Sequence, residues 1–141
     1  AKEQSPPRIS ANRLVKGLLD LKDEGNTELT RGESEQAAAT YGRALARLEE
    51  VRHELERPES GSLKATLLAN RAQAFIDLEK WEEALHDAQS SLEVQPDNPK
   101  ALHRKGVAAK GLASAKVRRD QGESLKQALF CKNAGNKLLS Q

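Results

Sequence analysis

The stretch Asn70-Arg71-Ala72-Gln73-Ala74-Phe75-Ile76-Asp77-Leu78-Glu79-Lys80-Trp81-Glu82-Glu83-Ala84, resumed at Gln95-Pro96-Asp97-Asn98-Pro99-Lys100-Ala101-Leu102, decides the fold. Ala72, Phe75, Ala84, Ala88 and Pro96 recur there at a helical period, and small residues so spaced let one helix pack closely on the next. An earlier segment carries a comparable set, Gly25, Gly32, Ala37, Tyr41 and Ala44, and a third begins at Pro99 with Leu102 and Gly106. The chain is therefore read as an internal repeat of helical hairpins.

Composition fits an all-α fold of that kind. The 141 residues are 37% hydrophobic and 31% charged, which suits a thin stack whose helices each bury one stripe. Aromatic residues make up only 3%, so Ala and Leu must fill most of the core, favouring close helix packing over a sheet sandwich. No apolar run exceeds Ala128-Leu129-Phe130-Cys131, far short of the roughly 20 residues a spanning helix needs. The lone Cys131 has no internal disulfide partner and Asn-X-Ser/Thr sequons are absent, compatible with a reducing cytoplasm or nucleus. The absence of Met, initiator included, suggests a fragment of a larger protein.

The quoted stretch resembles the tetratricopeptide repeat, a helix-turn-helix of roughly 34 residues with small residues at its eighth and twentieth positions. With Pro96 as the thirty-second position, Ala72 and Ala84 fall at those two places. The resemblance covers residues 21–106 and implies three repeats stacked as a right-handed solenoid. Repeat one is expected at about 18–56, repeat two at about 65–98, and repeat three with a capping helix at about 99–141, all in one domain from residue 10 onward.

Local signals fill in the boundaries. Ala1 to Ile9, with Pro6-Pro7, reads as a flexible polar tail, and Ser10 as the cap of a first helix carrying Leu14, Leu18, Leu21, Gly25 and Leu29. Arg31-Gly32-Glu33-Ser34 turns the chain into a second helix, expected to run to about Leu55 and to end in a loop, Arg57-Pro58-Glu59-Ser60-Gly61-Ser62. Repeats one and two are separated by roughly thirteen residues more than minimal repeats need. Such an elongated first pair is similar to the tetratricopeptide domains of large immunophilins. In repeat three one continuous helix is expected from Pro99 to about Arg119, because Gly111 alone costs only about 1 kcal/mol. Asp120-Gln121-Gly122-Glu123 is the next expected break, Gly122-Glu123-Ser124 echoing Gly32-Glu33-Ser34, with a capping helix beyond it.

Five side chains carry the functional reading: Lys22, Asn26, Asn70, Lys100 and Arg104. Lys22 and Asn26 are spaced i, i+4, as are Lys100 and Arg104, so each pair projects from one helix face. Three cations and two amide donors on one surface would repel or idle without an anion between them, whereas charge-assisted hydrogen bonds contribute roughly 1.5–3 kcal/mol each. The set resembles the dicarboxylate clamp of co-chaperones. That resemblance implies that Lys22, Asn26 and Asn70 hold a terminal main-chain carboxylate, Lys100 the side chain of a C-terminal Asp, and Arg104 the peptide further upstream. It also implies a protein-interaction adaptor for the C-terminal Glu-Glu-Val-Asp tail of the cytosolic heat-shock chaperones HSP90 and/or HSP70. Two alternatives stay open: a regulatory appendage of a prolyl isomerase, and a scaffold that binds internal peptide segments.

Other chemistry is thin. His53, His86 and His103 are far apart and Cys131 is alone, so no zinc-ligand spacing exists. No phosphate loop or nucleophile triad is recognisable, so neither an enzyme nor a cofactor is expected. The cluster Lys116, Arg118, Arg119 lacks interleaved aromatics and the net charge is only +2, which argues against nucleic acid.

Overall fold

In a computed structural model of the chain the described residues are 8–55 and 57–139, with side chains described for 13–55 and 58–126. They form five α-helices and one 3₁₀ turn, with no strand among them. The helices are α1 (Arg8–Thr30), α2 (Ser34–Val51), α3 (Arg57–Asp77), α4 (Trp81–Val94) and α5 (Pro99–Leu139); the 3₁₀ turn, Arg52–Glu54, follows α2. Helix α1 packs on α2, α2 on α3, and α3 on α4. The chain divides into two compact units, Ala1–Ala109 and Lys110–Gln141, and the hairpins, core and site described below belong to the first.

Two left-handed residues make the hairpins. After α1 the Gly32 N–H donates to the Leu29 carbonyl and the Glu33 N–H reaches back to Glu28, with Gly32 at φ +79°. This double closure satisfies carbonyls that a helix end leaves open, and glycine adopts the required φ at no steric cost. The turn after α3 repeats the pattern: Glu79 N–H to Ile76 carbonyl, Lys80 N–H to Phe75 carbonyl, and φ +57° at Glu79. There a side chain occupies the position that favours glycine.

Small residues make the packing. Ala37, Tyr41, Ala44, Leu48 and Val51 of α2 bury one stripe against Leu18 of α1 and Leu67 and Ala74 of α3. Between α3 and α4, Ala72, Ala84 and Ala88 are fully buried, and the Ser91 hydroxyl donates to the Ala65 carbonyl at 2.7 Å. Arg71 spans the same pair of helices, gripping the buried Asp87 carboxylate with Nε at 2.7 Å and a terminal nitrogen at 2.9 Å. Both Asp87 oxygens thus have charge-assisted partners, which offsets the cost of burying the anion. Trp81 is half-buried at the start of α4.

Several sequence expectations change. Residues 1–7 of the expected tail lie outside the described residues, while Arg8 and Ile9 already belong to α1, which puts Ser10 inside the helix. Helix α2 stops at Val51 and the chain reaches Leu55 through the 3₁₀ turn. Pro58 to Ser62 is no loop; it forms the opening turns of α3. Proline is at home there, since its fixed φ is helical and a first-turn N–H has no intrahelical acceptor to lose. In repeat three the long helix forms as expected and then continues. No break occurs at Asp120–Glu123, and the segment expected as a separate capping helix is the end of α5. Gly122 takes a helical rather than a left-handed φ, and one glycine costs too little to interrupt a run of good helix formers.

Two outcomes follow for stability. Gly25→Ala would set a Cβ 2.5 Å from Cε1 of the fully buried Tyr41 ring, so denaturant unfolding should show a loss of about 1–3 kcal/mol. Glu79→Gly should raise stability by about 0.5–1 kcal/mol, because it removes the left-handed penalty at some cost in unfolded-state entropy; an unchanged melting midpoint would contradict that account.

Candidate functional site: a polar junction of α1, α3 and α5

Three of the five expected residues meet. Asn26 on α1, Asn70 on α3 and Arg104 on α5 form a hydrogen-bonded chain: Arg104 Nη1 donates to Asn70 Oδ1 at 3.3 Å, and Asn70 Nδ2 donates to Asn26 Oδ1 at 3.1 Å. The same Arg104 nitrogen also donates to the Ala69 carbonyl at 2.7 Å. Local structure fixes each contributor. Asn98 caps α5, its Oδ1 accepting from the Ala101 N–H at 3.1 Å, and Pro99 fills the first helical position. That start sets the register at which Lys100 and Arg104 emerge.

Lys22 and Lys100 stand apart from the chain. Lys22 is half-buried one turn before Asn26, where it lines an open groove between α1 and α3 with Val15, Leu19, Leu63 and Thr66. Lys100 is exposed one turn before Arg104. Neither makes a hydrogen bond or ion pair among the described residues, so both ammonium groups are open to an incoming anion. By contrast Arg43, Arg47, Arg52 and Arg71 each pair with a carboxylate. His53, His86 and His103 are exposed, no metal-binding group of three acidic, His or Cys side chains occurs among the described residues, and the Cys131 side chain lies outside them.

Tyr41 is the member that sequence reasoning missed. It was legible as the large residue of α2 opposite Gly25, but only the fold carries its hydroxyl to Asn26 Oδ1, to which it donates. Burial pushes its hydroxyl up to about 12, with Arg104 opposing the rise and Glu28 adding to it. Burial also pulls the Arg104 guanidinium below its ordinary value, against the influence of Tyr41 and Asp77. Asp77 lies on α3 two turns beyond Asn70, held by a 2.9 Å hydrogen bond from Gln73. A further α1–α2 link, from the Thr40 hydroxyl to Glu28, has Arg43 donating to the same hydroxyl at 3.1 Å.

No known family model matches the chain. It is similar to sperm-associated antigen 1 of Rattus norvegicus, 36% identical over 89 residues that cover 63% of this chain and 8% of that protein. It is also similar to the mitochondrial import receptor subunit TOM70 of the same species, 33% identical over 116 residues, 79% of this chain and 18% of the relative. Tetratricopeptide repeat protein 12 of Homo sapiens is 31% identical over 114 residues, 80% of this chain and 14% of its own length. The chain thus spans less than a fifth of the length of these relatives. The hairpins, their small-residue packing and the likeness to a protein named for its tetratricopeptide repeat together define an all-α tetratricopeptide-repeat domain.

The raised Tyr41 value sets an alkaline limit. A hydroxyl that holds its proton more tightly folded than unfolded contributes stability that is complete below about 10 and is lost as pH rises toward about 12. Tyr41 is the only tyrosine, so tyrosinate absorbance reports it alone. The native midpoint should lie well above that in denaturant, and coincident midpoints would show the hydroxyl to be solvated.

Proposed function

We propose that the chain is a peptide-binding adaptor that takes the free C-terminus of acidic protein tails, through a dicarboxylate clamp of Lys22, Asn26, Asn70, Lys100 and Arg104. The observation that carries this reading is the meeting of Asn26, Asn70 and Arg104 from three separate helices, flanked by two lysines without partners among the described residues. An anion settling there gains charge-assisted contacts while breaking no existing ion pair of Lys22 or Lys100. The ligand class is the Glu-Glu-Val-Asp terminus shared by HSP90 and HSP70, where the main-chain carboxylate meets Lys22 and the two asparagines and the Asp side chain meets Lys100. Kinship to a protein named as an import receptor subunit fits recognition of other polypeptides. The same reading sets the protein's work in the cytoplasm and gives it no catalytic role.

Affinity near the micromolar range, about −8 kcal/mol, is expected for a short extended peptide that must be ordered on binding. Calorimetry with Met-Glu-Glu-Val-Asp tests the clamp. Lys22→Ala and Lys100→Ala should each weaken binding by about tenfold, roughly 1.4 kcal/mol for one charge-assisted contact, and binding should fall as salt rises. Both variants should melt with the parent chain, since neither lysine has a hydrogen bond or ion pair to lose among the described residues. A peptide whose terminus is amidated should bind at least about tenfold more weakly. Equal binding of acid and amide without salt dependence would refute the clamp and favour the scaffold for internal segments, seated in the groove lined by Val15, Leu19 and Leu63.

A further inference from the structure

The polarity of the junction is fixed by its one obligate donor. Arg104 carries no acceptor, so the Asn70 atom facing it is Oδ1, and the amide nitrogen of Asn70 must then be the atom turned toward Asn26. The Asn26 atom that meets this nitrogen has to be Oδ1. Tyr41, whose hydroxyl reaches the same oxygen, therefore donates to it rather than accepting. With two donors on its oxygen, the Asn26 side chain cannot flip without setting Asn70 Nδ2 and the Tyr41 hydroxyl against its own N–H groups. Its Nδ2 is left with no acceptor among the described residues, and Asn26 is only half-buried, so those protons face solvent.

We infer that Tyr41 is a positioning residue which, with the Arg104–Asn70 relay, locks the Asn26 amide as an outward donor and so makes the site selective for a carboxylate over a carboxamide. This rests on the clamp reading and deepens it. Asparagine is otherwise ambivalent, offering an acceptor as readily as a donor. An Asn26 free to turn would present oxygen to a carboxamide N–H and so blunt the discrimination. Burial of Tyr41 serves this lock in two ways. The ring lies against the bare α-carbon of Gly25 and has no room to swing, and the hydroxyl keeps its proton throughout the physiological range.

Tyr41→Phe tests the inference, because it keeps the ring and its packing and deletes only the donor. With Met-Glu-Glu-Val-Asp and its C-terminal amide as probes, the variant should bind the acid about three- to fivefold more weakly, the effect of one neutral hydrogen bond, while the amide affinity holds or rises. The loss should vanish in an Asn26→Ala background, since Tyr41 acts only through that amide. A residue with a merely structural role would weaken both peptides alike and would do so with or without Asn26. An unaltered acid-to-amide ratio, or a loss that persists beside Asn26→Ala, overturns the inference while leaving the clamp standing. Parent protein that does not distinguish the two peptides overturns both. Asn26→Asp is the independent check: its carboxylate satisfies both donors yet offers no N–H, so acid binding should drop by more than about tenfold while the amide is retained. Retained acid binding would show that the Asn26 donor plays no part.

Discussion

The Tyr41 ring comes close against α1 because residue 25 has no Cβ, and much of the molecule's organisation depends on that one close approach. A methyl group at residue 25 would stand within 3 Å of three ring atoms. Its absence lets α1 and α2 approach closely, buries the largest side chain of the core, and brings a polar atom on α2 to the face of α1 that looks toward α3. The same contact therefore serves packing and polarity at once. Elsewhere in the core alanine takes the role of glycine, with Ala72, Ala84 and Ala88 setting the approach of α3 and α4. A chain with so few aromatic residues gains most of its apolar burial from many short contacts of this kind.

Polar groups are buried only where they are fully used. Asp87 meets both arms of Arg71, Ser91 reaches a backbone carbonyl, and Asn70 both accepts and donates. No buried side-chain nitrogen or oxygen among the described residues lacks a partner. These links tie α3 to α4 and α3 to both α1 and α5, so specificity of stacking comes from directional bonds laid over non-directional packing. Lys22 is half-buried and Lys100 exposed, and neither ammonium group is paired among the described residues, so hydration stabilises both charges.

The helices were legible in sequence because helical periodicity is local, and so was the turn at Gly32. Misreadings arose where a residue type has two uses. Pro58 ends helices in general and opens one here; Gly122 resembles Gly32 in its neighbours, yet only Gly32 adopts a left-handed φ among the described glycines. Breaker residues define where a helix is allowed to stop, and the tertiary surroundings choose whether it does. Within the site, the i, i+4 pairs on α1 and α5 followed from spacing alone. The two lysines are where that spacing puts them, without contact to the polar chain. Asn26, Asn70 and Arg104 converge, but Arg104 spends one nitrogen on Asn70 and the Ala69 carbonyl.

The sequence by itself determined the all-α hairpin repeat, the small-residue faces and the set of five candidate side chains, since each of these is written in the periodicity of one segment. The order of donors and acceptors at the junction was decided only by the tertiary structure. Tyr41 is 15 positions from Asn26, and Asn70 is 44 positions from it and 34 from Arg104. No local rule says which oxygen meets which nitrogen across such separations. An amide has two faces of opposite polarity, and only a neighbour that can do nothing but donate, held in place by packing, settles which face looks outward.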